Sequence, residues 1–115
     1  MEEHVCPVTD AMEILAKKWT VLIIFKLLDG AKRFSEIENE IAISGRLLSE
    51  RLKELETNGL VQRHVYPETP VRVEYELTAM GQEAGPIIKE IGKWSTKWIA
   101  SREYRTVPSD MNKCK

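Results

Sequence analysis

Apolar residues along this chain recur first at helical spacing and then at strand spacing, and the change of period marks out its elements. Val8, Met12 and Leu15 share one side of a short first helix, and Pro7 suits its first position, where a missing N–H has no partner to lose. The run "TVLIIFKLL" from Thr20 to Leu28 is nearly all apolar and predicts a buried second helix, closed at Asp29-Gly30. "FSEIENEI" puts Phe34, Ile37 and Ile41 on one face of a third. In "ISGRLLSERLKELETNGL", Ser44 is a good N-cap, Leu48, Leu52 and Leu55 repeat at i, i+4 and i+7, and Asn58-Gly59 ends the helix. Two short helices with a tight connection, the second amphipathic, have the layout of a helix-turn-helix over about residues 33–58.

The period then drops to two. Val71, Val73, Tyr75 and Leu77 alternate with Arg72, Glu74 and Glu76, which predicts a strand with one buried face. The β-prone run Leu60 to Tyr66 precedes it, and "PETP" turns the chain between them, giving a hairpin over about residues 60–77. Helix, helix, hairpin in this order is a winged helix, so the expected fold class is a mainly helical α+β winged helix-turn-helix. A last helix over about residues 79–101 carries Ile87, Ile91, Trp94 and Trp98 in one stripe, with Ile88 and Ile99 beside it. Pro86 inside it predicts a kink or a split. The polar tail, residues 102–115, is expected to fray.

Composition narrows the function. At 115 residues and 13.2 kDa the chain is one domain with one modest core. No apolar run approaches the roughly 20 residues of a membrane span, and the opening Met-Glu-Glu-His predicts no signal peptide, so a cytoplasmic protein is expected. Cys6 and Cys114 have no CxxC spacing and His4 and His64 are far apart, so neither a metal nor a cofactor is expected. No nucleophile–base pair or phosphate-binding glycine loop stands out, which argues against an enzyme. The net charge of −1 means that DNA binding must come from local placement of basic groups.

Such placement exists on the fourth helix. With Leu48 toward the core, Arg46, Glu50, Lys53 and Thr57 point the opposite way and Ser49 lies at the flank. Such a stripe is more often a solvated face, but between a helix-turn-helix and a hairpin it reads as a DNA-reading surface for double-stranded DNA. Arg can pair with guanine, Ser44 and Ser49 can bond bases or phosphate, and Glu50 either accepts from cytosine or repels phosphate. Arg51, on the edge of the core arc, is expected to pair with a carboxylate or touch phosphate. Arg63 and Arg72 on the hairpin, and Lys32 and Arg33 before the third helix, are the candidate backbone contacts. The Trp94/Trp98 stripe exceeds what so small a core can cover, which predicts a dimer interface; the alternative is that it packs back onto its own domain. Cys6 at a helix start faces the positive end of the helix dipole, which favours thiolate. That permits sensing of oxidants or electrophiles, while an inert packing role stays open.

The segments "CPV", "KKWTVLIIFKLLDG", "RFSEI", "LLSERLKELETNGLVQR" and "VYPETPVRVEYELTAMG", with the late Trp of the last helix, resemble the HxlR-type winged-helix transcriptional regulators of bacteria. The resemblance covers roughly Cys6 to Trp98. It implies a homodimer joined by its first and last helices, acting as repressor or activator on a palindromic operator. Several relatives use the cysteine of this "CP" motif against electrophiles or disulfide stress, and some link it to a second cysteine across the dimer, a part Cys114 would take here. A ligand-responsive regulator with no redox role, or a winged-helix protein-interaction module, are the competing readings.

Overall fold

The computed structural model describes residues 6–99. Their element order is α1 (Pro7–Leu15), α2 (Thr20–Leu27), β1 (Lys32–Arg33), α3 (Phe34–Ile41), α4 (Gly45–Thr57), β2 (Val61–Tyr66), β3 (Arg72–Leu77) and α5 (Ala79–Trp98). This is a mainly helical α+β fold, a winged helix-turn-helix. Cys114 and the polar tail lie outside the described residues.

The apolar run of α2 does what its composition demands. Ile23, Ile24 and Leu27 are wholly buried, and share one core with Ile37 and Ile41 of α3 and Leu48, Leu52 and Leu55 of α4. Removing such side chains from water stabilises by roughly 1.5–3 kcal/mol each. Gly30 turns the chain away with φ 133°, a conformation L side chains rarely adopt. By contrast α1 buries no residue; Val8 and Met12 stay exposed while Ile14 and Leu15 pack partly on the core.

The strands form one antiparallel sheet in the order β1-β3-β2. Val61 pairs with Leu77 where both are buried, and Val65 pairs with Val73 farther out, where the hairpin has left the core and Val65 is exposed. Two features differ from the sequence expectation. β1, whose Lys32 and Arg33 pair with Tyr75 and Glu74, is too short to leave a period in the sequence, and proximity to β3 alone makes it a strand. Val71, expected on the buried face, precedes β3 and is exposed, because the ladder starts at Arg72 beyond the reach of the core.

α5 begins at Thr78, whose Oγ accepts from the Gly81 N–H at 3.2 Å while its hydroxyl donates to the Gly59 carbonyl at 2.5 Å. Gly81, Ala84, Gly85 and Ile88 form its buried face. A methyl group at Gly81 would collide with the Leu60 carbonyl oxygen and stand 2.9 Å from Leu77 Cδ2, so only glycine lets the helix approach this closely. Of the two outcomes expected at Pro86, a kink or a split, the split does not occur: α5 runs unbroken to Trp98. Gly85 and Ile88, on either side of the proline, are held in the core, and exposed Gln82, whose carbonyl loses its helical donor, is open to water. Among the described residues no helix is long and apolar enough to cross a membrane.

Gly81→Ala is therefore expected to lower unfolding free energy by about 1–3 kcal/mol through overpacking. Urea denaturation followed by circular dichroism measures it, and an unchanged midpoint would contradict the close approach.

Candidate nucleic-acid interface and thiol

Ser44, extended at φ −66° and ψ 147°, starts α4 by accepting from the Leu47 N–H at 3.2 Å. That cap and the Leu48/Leu52/Leu55 stripe set the rotation of the helix. The far side consequently presents Arg46, Ser49, Glu50, Lys53 and Thr57 to solvent, as one exposed face. Arg46 has 92% of its side chain exposed, and its Nε lies 3.9 Å from Glu50 Oε2, a contact too long and too wet to hold the guanidinium. Lys53 makes no ion pair among the described residues. Two exposed cations, hydroxyls and one carboxylate on one helix face can bond phosphate and base edges.

The other candidate cations are placed differently. Lys32, with 17% of its side chain exposed, donates to Glu40 Oε2 at 3.1 Å. Arg72 donates from Nη2 and Nε to Glu68 at 2.8 and 3.2 Å and from Nη1 to Glu74 at 2.6 Å, and its guanidinium lies 3.9 Å from the centroid of the Tyr66 ring. Hydrogen bonds from Arg72 hold the Glu68 carboxyl below the usual range, and those to Glu68 and Glu74 raise the guanidinium's pKa further. Next along the same wing face, His64 Nε2 lies 2.9 Å from Glu76 Oε1. Arg72 thus serves first as a clasp for the wing tip. Its pairing follows from sequence spacing: Glu68 is four residues before it, and Glu74, two along the strand, shares its face. Arg63 stands on the opposite wing face, exposed and without an ion pair among the described residues. Arg33 is exposed at the start of α3, where its backbone N–H donates to Glu36 Oε1 at 2.7 Å. Arg51 turns inward: its Nε donates to the Lys18 carbonyl at 2.9 Å.

Ile87, Ile91, Trp94 and Trp98 are 54%, 51%, 59% and 57% exposed, so the described part of the chain does not fold back to cover its own stripe. Val8 and Met12 of α1, at 66% and 45%, add a second uncovered apolar patch. Helical spacing grouped these two with Leu15 on one apolar side, but spacing does not reveal what covers such a side.

Cys6 is the N-cap of α1 and is exposed. The backbone N–H groups of Thr9 and Val8 hold its pKa below the ordinary thiol value. The pairing of Cys6 with Cys114 falls outside the described residues.

Comparison with known proteins places this geometry among relatives. The model of the HxlR-like helix-turn-helix family matches residues 14–103. An uncharacterised HTH-type transcriptional regulator of Bacillus subtilis, YvaP, is 55% identical over 100 residues, covering 85% of this chain and 93% of YvaP. The reduced form of the transcriptional regulator YodB from B. subtilis superposes with a TM-score of 0.76 at 43% identity, over 87% of this chain and all of YodB's. YodB has also been solved diamide-treated and quinone-bound. The redox regulator HypR in its oxidised form gives a TM-score of 0.78 at 34% identity, over 89% of this chain and all of HypR's.

The thiol geometry sets a pH expectation. In a Cys114→Ser background, alkylation of native Cys6 by iodoacetamide is expected to reach half its plateau rate at lower pH than in urea. A folded pKa below the unfolded one means the thiolate's stabilising contribution is present above the unfolded pKa and disappears as pH falls through the folded one. Equal midpoints in the two states would remove any role for the helix start.

Proposed function

The chain belongs to the HxlR-like helix-turn-helix family of transcriptional regulators, and on that premise we propose that it is a homodimer whose α4 helices read a two-fold-related operator under the control of Cys6. DNA binding itself follows from the family, as does the conclusion that the protein is a regulator and not an enzyme. The observation that carries the finer reading is the α4 face, where Arg46, Ser49, Glu50 and Lys53 stand exposed opposite a buried leucine stripe. Ser44 and the exposed Arg63 and Arg33 extend it toward the phosphates, and Lys32 and Arg72 contribute only if their carboxylate partners yield.

Dimerisation is supported by the uncovered stripe of α5 and by the exposed apolar residues of α1. A second copy would bury both patches, and two-fold symmetry would set the α4 helices about one DNA turn apart. Trp94→Glu with Trp98→Glu is expected to weaken self-association at least ~100-fold, measured by sedimentation equilibrium, and to weaken operator binding with it. A wild type that stays monomeric at micromolar concentration would refute the dimer.

The switch is supported by the exposed, N–H-stabilised thiol and by relatives solved in oxidised, diamide-treated and quinone-bound forms. With a quinone, the Cys6 thiolate adds to a ring carbon, the new S–C bond sends an electron pair to the ring oxygen, and protonation leaves a hydroquinone thioether. With diamide, Cys6 and a second thiol, Cys114 of the other copy in this reading, each give up one proton and one electron to the reagent and join as a disulfide.

Both parts are tested by fluorescence anisotropy on the protein's own upstream DNA, reduced and after diamide or quinone. Arg46→Ala and Lys53→Ala are each expected to cost about 1–3 kcal/mol of operator affinity. The reagent is expected to change the affinity of wild type and to leave Cys6→Ser unaffected. Unchanged affinity in both α4 variants would refute the reading helix, and an equal response of Cys6→Ser would refute the switch.

A further inference from the structure

The exposed face of α4 can read bases only if the helix keeps a fixed roll and axial position, and its apolar packing does not supply that alone. Leu48, Leu52 and Leu55 form one narrow buried stripe, and hydrophobic burial is non-directional. On its flank toward α1 the helix is not closely packed. An open cleft of about 400 Å³, lined among others by Glu13, Ile14, Lys17, Glu50, Lys53 and Glu54, separates the two helices.

Directional bonds bridge this flank. Arg51, with only 16% of its side chain exposed, donates from Nε to the Lys18 carbonyl at 2.9 Å and from Nη1 to Glu54 Oε1 at 3.4 Å. The other oxygen of Glu54 accepts from Lys17 Nζ at 3.2 Å. Both contacts on the far side, Lys17 and the Lys18 carbonyl, belong to the connection between α1 and α2. That connection is itself unusual: Trp19, immediately after Lys18, sits at φ 81°, a left-handed conformation in which a bulky residue is strained. Trp19 packs on the core, and its carbonyl accepts from Ile23 N at 2.9 Å, so the kinked peptide is fixed at the head of α2. The Lys18 carbonyl is left pointing out of the helix start, and Arg51 is its donor.

We infer that Arg51 is a positioning residue for DNA recognition: with Glu54 and Lys17 it latches the recognition helix to the left-handed Lys18–Trp19 junction and sets the aim of Arg46, Ser49, Glu50 and Lys53. The inference rests on α4 being the reading helix. The latch acts on sequence-specific contacts, which depend on the roll of the helix to within an ångström or so, and little on non-specific attraction to phosphate, which tolerates loose geometry. Arg51 makes no phosphate contact of its own. The latch also joins α4 to the chain directly after α1, the helix that Cys6 begins.

The test compares Arg51→Met, which keeps the stem and removes the fork, with wild type on two probes across a range of salt: a duplex selected by the wild type from a random pool, and a random-sequence duplex. Expected is a roughly 10-fold loss on the selected duplex, less than ~2-fold on the random one, and an unchanged slope of log affinity against log salt. Glu54→Gln, which keeps an acceptor for Arg51 but loses the Lys17 pair, is expected to show a smaller loss of the same kind. Thermal melts establish that each variant folds, and if Arg51→Met does not, Arg51→Lys is measured against the same criteria. Parallel losses on both probes with a slope reduced by about 1 would make Arg51 a phosphate contact and overturn the latch. Undiminished binding to the selected duplex would overturn it too, provided Arg46→Ala is impaired. If Arg46→Ala and Lys53→Ala also bind normally, the reading helix and the latch fall together.

Discussion

The structure depends on the burial of α2. Its Ile23, Ile24 and Leu27 are fully enclosed, and α3, α4 and α5 are arranged around them. α3 and α4 close over one side with Ile37, Ile41, Leu48 and Leu55, and α5 lies close on another through Gly81, Ala84, Gly85 and Ile88. Truncating a single such residue typically costs 2–5 kcal/mol, a large fraction of what a domain of this size has. The protruding face of α4 is a consequence: once its leucines are committed to α2, the polar residues have only solvent to face.

Charge is sorted by the same packing. A chain with net charge −1 can bind a polyanion only if its cations are not all neutralised at home. Lys32, Arg51 and Arg72 are taken by Glu40, Glu54, and Glu68 with Glu74. Lys53 and Arg63 are left without ion pairs among the described residues, and the Arg46–Glu50 contact is too exposed to compete with phosphate. The internally paired residues shape the surface, holding the wing tip and the flank of α4, while the unpaired ones stay exposed to solvent.

Two helices leave large apolar residues uncovered among the described residues. α5 buries a face of small residues, with Gly81 against Leu60 and Leu77 and Gly85 against Leu28, and turns Ile87, Ile91, Trp94 and Trp98 outward; α1 leaves Val8 and Met12 exposed and begins at an exposed thiol.

The sequence by itself determined the order of the five helices and the hairpin, the helix ends marked by Pro7, Gly30, Ser44 and Gly59, and the core faces of α2, α3 and α4. Ser44, the leucine repeat of α4, the alternation toward Leu77 and Gly30 each act through local geometry, and local geometry is written in spacing. The exposed set on α4 was equally legible, because a helix whose buried side is known has a known opposite side. Only the tertiary structure decided that Lys32 and Arg33 form a strand, that Val71 falls outside the ladder, and that Pro86 leaves α5 whole. These outcomes depend on residues far apart in sequence meeting in space, as Arg51 meets the Lys18 carbonyl across 33 positions. Periodicity has no term for such encounters, since they are set by how the faces pack and not by the faces themselves.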